Sequence, residues 1–386
     1  MMKKWQACIC LILALMLPLT ALAEAADAPA IQRKGLTLGE GYVYYPQVEG
    51  LADETLTASV NARVLEELGV AGYLDRLAVT MQSPTPLTVD YSARLKGDVL
   101  SLQMLASGPV KGTRSTQVWT TTNIDLRTGE AIGWEQLFTD PDAAKARIAE
   151  HLDYEVVPEL SAHLSNCEVN PLPDTFTLSD TALTLHYPIG QLSTLSDRAA
   201  VIAVRWSVVS DLLRAEPDGI PARIGALASV TPDATTRQRI IDAVAEGSLP
   251  GVPAHLGDSV QEWVDRSGLL VDPDLYEGGR LIQLEDGAFR GVYLLTDNLT
   301  DDFDTSIVQG LRADSIDLCG ISTGKTTREE AIALLGQPDA SVTMDAERAE
   351  AYRLPVGVSD YFDLETCQLR LHAGEDGVVV SVFLTK

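Results

Sequence analysis

The sequence predicts an α+β protein: helices on one face of an antiparallel sheet, followed by a tandem helix-plus-antiparallel-sheet repeat. Three observations predict this fold class. Segments that alternate between apolar and polar residues, such as 99–105, are typical of strands. Segments with apolar residues three or four positions apart, such as 55–68, are typical of helices. A capped helix followed by a pair of strands occurs twice in the C-terminal part, which indicates an internal repeat.

The N-terminal residues predict a signal peptide over residues 1–23. Two lysines precede an apolar run over residues 7–22, and a small-residue cleavage site ends at Ala23. The alternative is a retained membrane anchor, which the shortness of the run and Pro18 disfavour. We therefore expect a secreted or extracytoplasmic protein of the cell envelope, with no membrane span after cleavage.

The composition predicts a strongly acidic protein. The 386 residues include 29 Lys+Arg and 55 Asp+Glu, which gives a net charge of −26. Such a surface repels nucleic acids and anionic lipid headgroups. We therefore predict no nucleic-acid partner and an unknown protein or wall-fragment partner, with a basic secreted protein as one candidate. A solubilising surface is the simpler interpretation of the same charge.

The first predicted domain covers residues 36–214 and follows a flexible leader over residues 24–35. Asp140 and Pro141 predict a helix start, because aspartate caps helices and proline is favoured at their first position. The predicted elements of this domain are strands at 41–46, 89–95, 99–105, 117–126, 174–178, 182–187 and 199–209, and helices at 55–68 and 140–157.

A polar segment with glycine and prolines predicts a linker over residues 215–234. The first repeat is then expected at residues 235–312 and the second at 313–386. The first repeat is the less regular of the two, and Asp258 is its predicted helix cap.

The helix of the second repeat has the clearer start and end. Thr326 or Thr327 is its predicted cap, and Glu329 or Glu330 lies three residues further on, which is the spacing of a capping box. Gly336 supplies the positive φ that ends the helix.

Two motifs in the first predicted domain carry a family resemblance. Residues 123–129 read N-x-D-L-x-T-G, and residues 134–138 read W-E-Q-L-F. Over residues 36–213 the chain resembles the extracytoplasmic domain of RsiV-type lysozyme-sensing anti-sigma factors and PdaC-type peptidoglycan deacetylases. Their sigma-binding and catalytic parts have no counterpart in this sequence. The resemblance implies the fold and an envelope location, and it makes lysozyme a candidate partner.

Residues 324–338 carry the pattern of a glycine, a threonine two positions later, and a final L-G-x-P. The C-terminal half is thereby similar to the tandem repeats of YjgB-like exported proteins, which are related to the unit of SmpA/OmlA lipoproteins and of β-lactamase inhibitory protein. This resemblance implies no catalytic residue. It raises an alternative function, a proteinaceous inhibitor of a secreted hydrolase of the lysozyme or β-lactamase type.

The sequence contains no motif that predicts catalysis, a cofactor or a metal ion. Residues 320–326 imitate a nucleotide-binding loop but have one residue too few between the glycines. The histidines lack the spacing of a helical zinc site, and no G-x-S-x-G is present. We therefore predict a protein that is not an enzyme, with no cofactor and no metal.

Three cysteines follow the predicted cleavage site: Cys167, Cys319 and Cys367. Cys319 and Cys367 lie in one predicted repeat and are the candidates for a disulfide. Free, buried thiols are the alternative reading of the same pair.

Residues 360–363 are the candidate partner-binding residues, because Asp360, Tyr361, Phe362 and Asp363 combine aromatic rings with carboxylates. Buried rings with exposed acids are the ordinary alternative. The sequence as a whole predicts a non-catalytic, exported envelope protein that acts as a protein- or wall-binding module.

Overall fold

The computed structural model describes residues 29–386 except 82, 113–114, 157–168, 190, 193–199, 253, 268–273, 277–278, 284–290, 298–302 and 365. The predicted signal peptide, residues 24–28 of the predicted leader and Cys167 lie outside the described residues. The described helices and sheets, whose strand pairs are antiparallel except for one parallel pair in the N-terminal sheet, form an α+β protein, as the sequence predicts.

Among the described residues, six strands in chain order form the N-terminal sheet. The strands are β1 (Ala30–Leu38), β2 (Gly41–Glu49), β3 (Thr88–Lys96), β4 (Val99–Gly108), β5 (Thr116–Asp125) and β6 (Glu130–Ala131). Helices α1 (Glu54–Glu67) and α2 (Val70–Thr80) contact this sheet. Their apolar residues, including Val60, Val64 and Leu77, bury one face of the sheet in the first core.

Residues 30–35 belong to β1 and not to a flexible leader. They pair with β2 in a continuous antiparallel register. The prediction failed because most side chains of β1 are exposed, so its sequence lacks apolar alternation. Strand β2 also continues through Pro46, where the prediction ended it. Its other neighbour, β3, pairs only with Tyr42 and Val43, so β2 has one partner strand at the proline.

The second core lies around a three-stranded sheet formed by β7 (Phe176–Leu178), β8 (Ala182–Tyr187) and β9 (Ala200–Arg205). Asp140 caps the predicted helix, since its carboxylate accepts from the Ala143 amide at 3.0 Å. The helical segments here are α3 (Trp134–Leu137), α4 (Pro141–His151), a π-helix (Leu152–Val156), a 3₁₀ segment (Trp206–Leu212), α5 (Ile220–Arg223) and α6 (Ala226–Val230).

Two predictions are wrong in this part of the chain. The strand expected over 199–209 ends at Arg205, and a 3₁₀ segment follows it. The segment expected as a linker over 215–234 contains α5 and α6, whose Ile220 and Ala226 are buried in the second core. Gly219 was read as a breaker, but Gly219 and Gly225 stand directly before these two helices.

In the described C-terminal part, eight strands form one antiparallel sheet in the order β10-β11-β12-β13-β19-β18-β17-β16. The strands are β10 (Asp274–Tyr276), β11 (Gly279–Gln283), β12 (Val292–Thr296), β13 (Gly310–Ala313), β16 (Ala340–Met344), β17 (Gly357–Leu364), β18 (Cys367–Gly374) and β19 (Val379–Thr385), with a separate hairpin of β14 (Asp317–Leu318) and β15 (Ile321–Ser322).

The two predicted repeats meet where their last strands pair. Strands β13 and β19 are antiparallel, with Gly310 opposite Thr385 and Ala313 opposite Val382. The helices are α7 (Thr236–Ala245), α8 (Val260–Ser267), α9 (Arg328–Leu335) and α10 (Ala346–Ala351). Apolar residues of α7, α8 and α9 form the third core with one face of the sheet, and this core contains residues of both repeats. We keep the predicted division of the chain near residue 235 as a proposal.

The predicted helix cap is confirmed in the second repeat and is wrong in the first. Thr327 and Glu330 form the predicted capping box on α9, with the Thr327 amide donating to the Glu330 carboxylate at 2.8 Å. At α8, Ser259 accepts from the Glu262 amide at 3.3 Å, so Ser259 stands where Asp258 was expected. The Asp258 carboxylate is held instead by the His255 amide and the Trp263 indole, so the prediction for Asp258 is wrong.

His186 is a buried titratable group between the first two sheets. It lies in β8, its Nε2 is 3.0 Å from the Thr177 hydroxyl, and its ring centroid is 5.4 Å from that of Trp119 in β5. Burial lowers the pKa of His186 from 6.5 to about 4. The folded protein therefore keeps this imidazole neutral at mildly acidic pH.

We expect His186 to make the folded state less stable in acid. Above pH 6.5 the imidazole is neutral in both the folded and the unfolded state. Between pH 6.5 and 4 it is protonated in the unfolded chain but stays neutral in the folded chain. The loss approaches ~3 kcal/mol at the acid end of this range. Urea unfolding at several pH values should give a shallower pH dependence for His186→Gln than for the wild type. Identical pH dependences would contradict this assignment.

Candidate functional site

A row of alternating aromatic and arginine side chains crosses the eight-stranded sheet. The strand registers pair Tyr293 with Arg312, Arg312 with Phe383, Phe383 with Arg370, and Arg370 with Tyr361. Directly opposed residues of neighbouring strands point to the same face of a sheet. Their chain neighbours, such as the flanking leucines, lie in the third core, so this row occupies the face opposite α7, α8 and α9. We call these five residues the arginine–aromatic row.

The guanidinium groups of the row lie over aromatic rings. The central carbon of Arg312 is 5.2 Å from the centroid of Tyr293 and 5.5 Å from that of Phe383. That of Arg370 is 4.4 Å from Phe383, 5.6 Å from Tyr361 and 5.4 Å from Tyr352, which follows α10. These distances are within the range of cation–π attraction. Phe383 therefore contacts both cations.

Arg312 has a hydrogen-bond partner on each of its three side-chain nitrogens. Its side chain is 8% exposed and donates to both carboxylate oxygens of Asp314, each at 2.8 Å. It also donates to the carbonyl oxygens of Tyr352 and Arg353, at 3.2 and 2.9 Å. A bidentate carboxylate pair of this kind neutralises the charge and fixes the plane of the guanidinium.

Arg370 lacks such a partner. Its Nε donates to the Ser359 hydroxyl at 3.1 Å, but it pairs with no carboxylate among the described residues. Its Nη2 is buried, and no described residue accepts a hydrogen bond from it. Burial lowers the pKa of Arg370, and the charge of Arg312 lowers it further, yet a guanidinium stays charged at neutral pH. Arg370 is thus a cation with an unsatisfied donor.

A buried hydrogen-bond chain holds Arg370 in place. The Ser359 hydroxyl that accepts from Arg370 lies 3.0 Å from Nδ1 of His372, and Nε2 of His372 lies 2.8 Å from the Pro355 carbonyl oxygen. Only a protonated Nε2 can donate to that carbonyl, so Ser359 donates to a neutral Nδ1. Burial lowers the pKa of His372, which favours this neutral form. Ser359 and His372 are both fully buried, so they position Arg370.

A cavity of about 200 Å³ lies on this face of the sheet. At ~30 Å³ for each water molecule, this volume corresponds to about seven waters. One amino-acid residue would fill a space of this size. Both predicted repeats contribute to its wall. The lining residues are Leu281, Leu295, Arg312, Tyr352, Tyr361, Gln368, Arg370, Phe383 and Thr385.

The predicted partner-binding residues divide between the two faces of β17. Asp360 is 2% exposed and pairs with Arg328 of α9 at 2.6 Å, and Phe362 is buried in the third core. Tyr361 lines the cavity, and Asp363 is exposed. Because alternate residues of a strand face opposite sides, four consecutive residues cannot form one surface. Of these four residues, only Tyr361 lines the cavity; Asp360 and Phe362 have structural positions.

Sequence reasoning missed Arg312, Arg370 and Phe383. A signal for both arginines was present, since each stands between apolar residues in a strand: Leu311-Arg312-Ala313 and Leu369-Arg370-Leu371. Such placement puts a charged group on the face opposite the core. Which strands are neighbours is a property of the folded sheet, so the row itself is not visible in the sequence.

The two described cysteines are free and buried. Of the two alternatives, the structure thus contains the thiols and not the disulfide between Cys319 and Cys367. Both side chains pack in the third core as small apolar groups. Burial raises the pKa of the Cys319 thiol, which disfavours the reactive thiolate.

The segment that imitates a nucleotide-binding loop contacts the N-terminal half. Lys325 donates to the Ser207 carbonyl at 3.3 Å and to the Ser210 hydroxyl at 3.2 Å. Nearby, Arg205 donates to the Thr323 hydroxyl at 3.1 Å and lies 3.5 Å from the buried carboxylate of Asp317. These polar contacts join the N-terminal and C-terminal halves.

Two further properties concern only the residues that the structure describes. No three His, Cys, Asp or Glu side chains there are grouped so that they could hold a metal ion. None of the described helices is long and apolar enough to cross a membrane.

No family model and no curated protein matches this sequence. Two solved DUF3298 family proteins are similar to the chain. The one from Bacteroides fragilis has a TM-score of 0.37 and 14% identity, and the match covers 51% of this chain and 96% of that one. The one from Pseudomonas aeruginosa has a TM-score of 0.36 and 11% identity, and the match covers 49% of this chain and 96% of that one. The DUF4309 family protein YjgB of Bacillus subtilis is also similar, with a TM-score of 0.26 and 14% identity. This match covers 41% of this chain and 97% of that one.

We expect Asp360 to matter for stability. Asp360→Asn removes the charge that faces Arg328 at the buried face of β17. Asp360 is buried but Arg328 is partly exposed, so we expect a loss of about 1–3 kcal/mol in the free energy of unfolding. Asp363→Asn, three residues further along the strand, is the matched control and should change stability by less than ~0.5 kcal/mol because its side chain is exposed. Chemical denaturation measures both. Equal effects would contradict the placement of Asp360.

Proposed function

We propose that this protein is a non-catalytic, exported binding module that takes an anionic segment of another protein on the arginine–aromatic row. The observation that carries the proposal is Arg370, a positioned cation with an unsatisfied buried donor in the wall of a cavity. A buried donor without an acceptor costs about 1–3 kcal/mol, and more when it is charged. An anionic oxygen from a partner would recover that free energy.

The chemistry of the row supports a protein partner. Tyrosine, phenylalanine and arginine are enriched at the centres of protein interfaces, and interface energy is concentrated in such residues. The apolar walls of the cavity, Leu281 and Leu295, are suited to an apolar side chain beside the anionic group. Arg370, which no described carboxylate neutralises, is a local positive charge on a chain whose net charge is −26, and an anionic group is attracted to it.

Export is the second part of the proposal, and the apolar N-terminal run supports it. Residues 7–22 precede a small-residue cleavage site, as in secretory signal peptides. The partner would then be a protein of the envelope or of the medium. Inhibition of a secreted hydrolase stays an untested prediction.

Site-specific cross-linking tests whether the row is the binding surface. A photoreactive benzoylphenylalanine replaces Gln368, which lines the cavity, and in the control it replaces Glu329, an exposed residue of α9 on the opposite face. Irradiation with the envelope and medium proteins of the producing organism should give one discrete adduct at position 368 and none at 329. Excess wild-type protein should suppress this adduct, and excess Arg370→Gln should not.

Two results would count against the proposed function. One is equal labelling from both positions, which would indicate non-specific contact. The other is equal competition by the wild type and Arg370→Gln, which would show that the unsatisfied guanidinium does not contribute to recognition.

A further inference from the structure

We infer that the cavity binds the free C-terminal carboxylate of a peptide whose last residue is apolar. This inference rests on the proposed function and specifies its ligand. The cavity wall has two chemical parts. Arg370 offers hydrogen-bond donors, while Leu281, Leu295 and the ring of Phe383 are apolar.

The positive charge of Arg370 and its free donor indicate where an anionic group would bind. Arg312 is already neutralised by Asp314, whereas Arg370 has no carboxylate among the described residues and keeps Nη2 unpaired. A planar guanidinium matches the two oxygens of a carboxylate in a bidentate pair. Asp363 lies on the same face of β17 as Tyr361, and it accepts from Gln368 at 2.8 Å. The ligand's carboxylate would therefore sit on the Arg370 side of Gln368.

The size of the cavity favours a chain end over an internal acidic side chain. A volume of about 200 Å³ holds about one residue. A terminal residue presents its carboxylate and its side chain from one Cα atom, and it brings a single peptide group into the cavity. An internal Asp or Glu brings chain on both sides, with backbone polar groups that must find partners. The arrangement of a cation and an apolar wall in one small space is thus suited to a C-terminal residue.

The orientation of Arg370 is fixed before a ligand binds. Its Nε is held by Ser359, which His372 holds in turn, and aromatic rings contact its guanidinium. A fixed donor loses little conformational entropy on binding, which favours specificity for a planar carboxylate. The ligand supplies the acceptor that the described chain does not.

Small probes test this inference on the full mature chain. Side-chain Nε–H resonances of arginine and methyl resonances of leucine are followed by NMR during titration with N-acetyl-leucine, N-acetyl-leucinamide and N-acetyl-aspartic acid α-amide. N-acetyl-leucine should shift the Arg370, Leu281 and Leu295 signals in a saturable way. Its amide should bind at least about tenfold more weakly, because it lacks the charged acceptor.

Variants then connect the binding to Arg370. Arg370→Gln should weaken the binding of N-acetyl-leucine at least about tenfold. Arg348→Gln is the matched control: it removes the same charge from the exposed surface of α10 and should leave binding unchanged. If Arg370→Gln does not fold, the acid and amide probes on the wild type still decide the question.

The outcomes separate this inference from the proposed function. Equal binding of the acid and the amide, or unchanged binding by Arg370→Gln, would overturn the carboxylate site. Stronger binding of the aspartic acid α-amide would assign an acidic side chain instead and would also overturn it. In each case, an Arg370-dependent adduct at position 368 would leave the proposed function in place. Loss of that adduct would overturn the proposed function.

Discussion

The pairing of β13 with β19 is the constraint on which the C-terminal structure depends. It joins the last strands of two helix-plus-sheet units, so that their sheets become one. The helix side of this sheet is then covered by one core to which both units contribute. On the other side, the pairing places Arg312 of the first unit opposite Phe383 of the second. Without this pairing, neither the row nor the cavity would exist, because both need side chains from the two units.

The row brings two positive charges to one aromatic ring, Phe383. The two arginines differ in the groups that compensate their charge. Arg312 takes a carboxylate and two carbonyl oxygens from the chain itself. Arg370 takes one hydroxyl and three ring faces, which leave part of its hydrogen-bonding capacity unused. Rings stabilise a cation without using its N–H donors. That difference is why Arg370, and not Arg312, is the group to which a ligand would bind.

The sequence predicted those features that depend on neighbours along the chain. The capping box of Thr327 and Glu330 and the cap at Asp140 are local hydrogen bonds, and their residue types are visible in the sequence. Strand β1 was missed because pairing with β2, and not burial, orders its polar residues. The helices in the expected linker were missed because their short, glycine-flanked sequences do not favour a helix, and packing against the second core stabilises them. The row depends on the register of five strands, which no local pattern contains. Asp360 was misread because its partner, Arg328, is distant in sequence.

Native-state hydrogen exchange tests the central claim, that the two units are one cooperative structure joined at β13 and β19. The amides of a core sheet exchange only when the cooperative unit that contains them opens. We therefore predict that the hydrogen-bonded amides of β13 and β19 exchange with the same opening free energy as those of β18. Exchange of β13 through a separate, lower-energy opening that leaves β18 and β19 protected would show that the units are independent, and it would contradict this account.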